Sequence, residues 1–129
     1  MQRSLFRSAS RAAALIALSM LSATALAEPS NKWRIEFDET AQSAGKIVLN
    51  VLPSDGSPIL IEVSIPAGTR ENDVARIVGD SLKESLGSGY NIEIDDGEDV
   101  LIKQDGAGLF DLRLVSSSVT GVEIELERE

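Results

Sequence analysis

Between Thr69 and Gly87 the chain carries its one long run of helical periodicity, set among segments that read as strands. A helix alone among strands has to bury its apolar stripe on a sheet, because no second helix is there to receive it. Val74, Ile77, Val78, Ser81, Leu82, Ser85 and Leu86 fall on one side of the helical repeat, and Asn72, Asp73, Arg76, Asp80, Lys83 and Glu84 on the other. The Thr69 hydroxyl is placed to cap the first turn, where Glu71 and Asp73 suit the positive end of the helix dipole. Gly87 can turn left-handed and stop the helix. Ser81 and Ser85 within the stripe, with Gly79 at its edge, predict close approach to the sheet. Burial of Val74, Ile77, Val78, Leu82 and Leu86 contributes at most about 1.5–3 kcal/mol each, so this face is a core element.

The flanking segments alternate. Trp33, Ile35 and Phe37 interleave with Arg34 and Glu36, as a half-buried strand requires. Ile47 to Leu52 is nearly continuous in apolar character and reads as a central strand covered on much of both faces. The turn Pro53-Ser54-Asp55-Gly56-Ser57-Pro58 joins it to a strand with Ile59, Ile61, Val63 and Ile65 on one side. Beyond the helix, Tyr90, Ile92 and Ile94 alternate with polar residues, Asp96-Gly97 marks a hairpin, and Val100 to Ile102 return. Phe110, Leu112 and Leu114 predict another strand, and Val122, Ile124 and Leu126 a last one. Its opposite face, Glu123, Glu125 and Glu127, is solvated and discourages edge-to-edge pairing. The expected architecture is α+β in two layers: an antiparallel sheet of about six strands with one amphipathic helix packed across it, in the order βββαβββ.

Residues 1–27 read as a secretory signal peptide. Arg3, Arg7 and Arg11 precede an apolar run from Ala12 to Leu21, and Ala25 and Ala27 suit the small-residue cleavage site. That run is too short to remain as a membrane span. Residues 28–129 then form a single α+β domain, exported to the periplasm or the extracellular space. Losing residues 1–27 removes three arginines and no acid, so the net charge of −9 becomes −12. Such a field disfavours nucleic acid and anionic lipid surfaces, and serves solubility or attraction to a basic partner.

Histidine and cysteine are both absent, which removes the commonest general base, thiolate chemistry and disulfides. Ser43 and Lys46 have Ser-x-x-Lys spacing without the companion motifs of that enzyme class, so no catalytic residue is assigned. The pairs Gly87/Gly89 and Gly106/Gly108 are turn positions, not phosphate cradles, and no cofactor is expected. Asp95, Asp96, Glu98 and Asp99 around Gly97 are the candidate metal ligands, of a kind that suits calcium, although their spacing is not that of the twelve-residue calcium loop. A simple wet hairpin tip is the competing reading.

Ile65-Pro66-Ala67-Gly68-Thr69, then Asp73, Val74, Ala75 and Leu82, and the hairpin from Tyr90–Ile94 into Val100–Ile102 resemble a small strand-rich module of phage tail components and bacterial surface proteins. The resemblance spans roughly residues 46 to 115 and implies assembly or adhesion rather than catalysis. The expectation is therefore a noncatalytic module that meets a protein partner through a sheet face or edge. A small ligand-binding or calcium-binding protein using the hairpin at 95–99 is the alternative.

Overall fold

The computed structural model describes residues 29–106 and 108–129; the signal peptide reading of 1–27 lies outside the described residues. The elements run β1 (Lys32–Asp38), β2 (Gly45–Pro53), β3 (Ile59–Ile65), α1 (Glu71–Leu86), a 3-10 turn (Gly87–Gly89), β4 (Tyr90–Asp95), β5 (Asp99–Gln104), β6 (Phe110–Ser117) and β7 (Glu123–Arg128). The α+β class, one α-helix among the described residues and the antiparallel pairing follow expectation.

Among the described residues seven strands occupy two sheets, however, in the orders β4-β5-β1-β7 and β3-β2-β6. One helix, about 10 Å across, cannot cover a single sheet of about six strands spaced about 4.8 Å apart. Instead, the inward residues of both sheets meet: Ile35, Phe37, Val100 and Ile102 from one join Ile47, Leu49, Val51 and Val63 from the other in one core. The Phe110 carbonyl ties the two layers together, accepting bonds from the Trp33 indole Nε1 at 2.9 Å and the Ser30 amide at 2.8 Å. Against its ring, Tyr90 stands edge-on with centroids 5.4 Å apart.

The helix touches β3 of one sheet and β4, β1 and β5 of the other, which places its stripe over the seam between them. Val74, Ala75, Val78, Gly79 and Leu82 are buried, with Ile77 and Leu86 partly so. Ser85 is exposed and Ser81 half-buried, so close approach comes from Gly79, as expected, and from Ala75 in place of the serines. A Cβ on Gly79 would stand 3.0 Å from Ile94 Cδ1. The cap also differs from expectation. Thr69 Oγ1 donates to the Pro66 carbonyl at 2.7 Å, Arg70 occupies the N-cap, and its carbonyl receives the Asp73 and Val74 amides. The Pro66-Ala67-Gly68 turn thus takes the hydroxyl that the spacing had assigned to the helix. Gly87, at φ 71°, ends α1 with its amide on the Lys83 carbonyl.

In the three-stranded sheet β2 is central, as its apolar run predicted, but only Ile47, Leu49 and Val51 are fully buried. Val48, Asn50 and Leu52 point to the other side and are half-buried. Opposite the Val48/Leu49 step, Val115 is an extra residue in β6, a bulge that bends this edge.

Candidate functional site

The outer face of the four-stranded sheet has neither the helix nor the other sheet on it, and register decides what it displays. Asp95 pairs with Asp99, Asp99 with Glu36, and Glu36 with Glu125. One line across β4, β5, β1 and β7 therefore carries four carboxylates, one from each strand. Asp38 opposite Glu123 extends the field toward one end of the strands. Like charges facing one another across strands are destabilising, so this arrangement needs compensation.

Arg34 supplies it. This residue lies two positions before Glu36 on the same face of β1, in register with Leu101 and Glu127. Its Nη1 reaches Asp99 Oδ2 at 2.6 Å and Asp95 Oδ2 at 3.1 Å, while Nε lies 3.5 Å from Glu129 Oε2. These carboxylates raise the guanidinium pKa above its ordinary value, Asp99 first and Glu129 next, against the opposing effect of burial. Asp99, only 8% exposed, thus has its buried charge matched.

Glu36 is treated differently. It gathers with Glu125 and Glu127, each offering an oxygen within 4.8 Å of the others, and no ion pair reaches the three among the described residues. Repulsion from Glu127 is the largest cause that raises the Glu36 carboxyl pKa, followed by desolvation, Asp99 and Glu125.

The four hairpin residues proposed as metal ligands divide into two groups. Asp95, Asp96 and Asp99 converge within 4.8 Å, whereas Glu98 joins Asp38 and Glu71 in another cluster. The three-residue loop between Asp95 and Asp99 explains the split: Asp96 (φ 52°) and Gly97 (φ 80°) turn left-handed and carry Glu98 toward the start of α1. There desolvation, then Glu71, Asp99, Asp38 and Asp96, raise its carboxyl pKa. Two of the three converging aspartates already hold Arg34, a cation of this chain.

Alternation had shown that Glu123, Glu125 and Glu127 share a wet face. Arg34 and Glu36 carried no distinguishing signal, since their roles depend on the pairing of β1 with β5 and β7. No protein-family model matches the chain, and no curated protein or solved structure matches it either.

Proposed function

We propose that the protein is an exported, noncatalytic interaction module whose working surface is the outer face of the four-stranded sheet, and that its partner is a protein presenting a basic surface. The observation that carries this reading is the carboxylate line Asp95, Asp99, Glu36 and Glu125: Arg34 matches its first two members, and its Glu36–Glu125 end, joined by Glu127, has no ion pair among the described residues and neither the helix nor the other sheet on it. A sheet that places like charges side by side is relieved when lysines or arginines of a partner approach it, so the same field supplies attraction and orientation. Export rests on the basic, apolar and small-residue sequence of residues 1–27. The noncatalytic assignment rests on the lack of histidine and cysteine and of any matched nucleophile and base.

Cross-linking the purified protein to envelope extracts, with Glu36→Lys/Glu125→Lys alongside, tests the surface. The partner captured by the native chain should be lost from the variant and should weaken as salt rises. Equal capture by a correctly folded variant rejects this face.

A second reading, calcium at the hairpin tip, draws on the convergence of Asp95, Asp96 and Asp99. Binding there requires the ion to draw two carboxylates away from Arg34. Calorimetric titration with calcium decides it: no heat and no rise in melting temperature at millimolar calcium rejects the site.

A further inference from the structure

At the opposite end of this sheet from the carboxylate line is a depression of about 200 Å³, lined by Lys32, Asn91, Glu93, Leu101 and Lys103. Lys103 pairs with Lys32 on one side and Asn91 on the other, so two lysines and an amide form one row across β1, β5 and β4. The Gln104 amide bonds the Asn31 carbonyl, which makes positions 31 and 104 a hydrogen-bonded pair. Its neighbour Lys32/Lys103 is consequently a non-hydrogen-bonded pair, the kind that brings side chains closest. In a chain with 21 acidic residues, neither ammonium forms an ion pair among the described residues. Glu129, on the far side of Lys32, turns to Arg34 instead. Two adjacent cations are thus left facing a hollow, with Leu101 and Glu93 in the next row.

We propose that this depression binds a small, free phosphomonoester that also carries an ammonium or hydroxyl group. Two lysines are compact point charges with rotatable donors and together balance a dianionic tetrahedral group; planar bidentate recognition would call for arginine, and the nearby Arg34 is committed to Asp99 and Asp95. Asn91 adds amide donors, Leu101 offers an apolar wall to the ligand stem, and Glu93 accepts from the ammonium or hydroxyl at the other end. A volume of about 200 Å³ lies below the range of drug-sized pockets, about 300–1,000 Å³, which limits the ligand to a few heavy atoms beyond the phosphate. The carboxylates on the same face repel an anionic membrane, which favours a soluble ligand over a lipid headgroup. This site lies on the same face as the proposed partner surface, two rows along the strands from the carboxylate line, and is read by different residues.

The test is a nuclear magnetic resonance titration of the full chain with O-phosphoethanolamine, with inorganic phosphate and ethanolamine as separate arms. Saturable shifts are expected at Lys32, Asn91 and Lys103, tighter for O-phosphoethanolamine than for phosphate and absent with ethanolamine. Lys32→Ala and Lys103→Ala should each weaken binding about tenfold, as loss of one charge-assisted bond implies. Glu93→Gln should erase the preference over phosphate while retaining phosphate binding. Shifts that do not saturate, or affinity unchanged in folded Lys32→Ala and Lys103→Ala, overturn the site; equal affinity for phosphate and O-phosphoethanolamine overturns the ligand class. None of these outcomes depends on Glu36 or Glu125, so they leave the partner-binding test independent.

Discussion

Replacing Arg34 with methionine isolates the charge that holds the acidic sheet together, because methionine keeps much of the apolar stem while deleting the guanidinium. Two limits bracket the effect: removing one partner of a buried ion pair costs about 3–5 kcal/mol, and an exposed pair contributes about 0–1 kcal/mol. The Arg34 and Asp99 side chains are 18% and 11% exposed, and their contact is 2.6 Å, so this pair lies nearer the buried limit. Asp95 is wetter at 43% and adds little. The expected loss is about 2–3 kcal/mol at neutral pH, a drop in melting temperature of roughly 10–20 °C for a domain of this size. Urea unfolding followed by circular dichroism measures it. Asp99→Asn should be much less harmful in the Arg34→Met background than in the native one, with a coupling of about 2 kcal/mol. An Arg34→Met protein within about 0.5 kcal/mol of the native one, or additive effects of the two substitutions, refutes the assignment of Arg34 as the compensating charge.

Three further outcomes follow from other parts of the fold. Gly79→Ala should stabilise by about 0.5 kcal/mol in urea unfolding, since alanine gains close to 1 kcal/mol of helix propensity. Its new methyl meets chiefly Ile94 Cδ1 at 3.0 Å, the movable end of a side chain that is 41% exposed; clear destabilisation would show that the contact is rigid. Leu82, fully buried on α1, should not tolerate aspartate, and Leu82→Asp is expected to abolish the cooperative thermal transition; a native-like melt would mean the helix does not close the core. For Glu36, folding favours the protonated carboxyl, so its stabilising effect is complete below the ordinary glutamate value of about 4.3 and fades as pH rises through the raised folded value. Glu36→Gln should therefore gain stability relative to the native protein as pH rises from that range toward neutrality, and a pH-independent difference between their melting temperatures would contradict it.

The helix, its glycine stop and most strands were legible because they depend on local periodicity and turn chemistry. Thr69 shows the limit of local reasoning: one hydroxyl suited both a cap and the preceding turn, and the turn took it. Ser81 and Ser85 likewise matched the stripe, yet the small residues buried against the sheet are Gly79, expected at the stripe's edge, and Ala75, which was not. The division into two sheets was not legible, since an inward apolar face is the same whether it meets a helix or another sheet. For the site, Asp95, Asp96 and Asp99 could be grouped by proximity in the chain, but Arg34 and Glu36 lie more than fifty positions upstream of them. Only the β1–β5 register brings them together.

The placement of β1 also orders events in time. Its two neighbours are β5 and β7, so the second strand needed to enclose it is the most C-terminal of the described strands. A chain delivered from its N-terminal side holds Trp33, Ile35 and Phe37 ready but cannot complete their sheet until β7 arrives, and non-local pairing of this kind is slow to form. Topology therefore acts as a delay: β4, β5 and β1 can bring Asp95, Asp99 and Glu36 into line, but Glu125 joins them only when β7 pairs with β1.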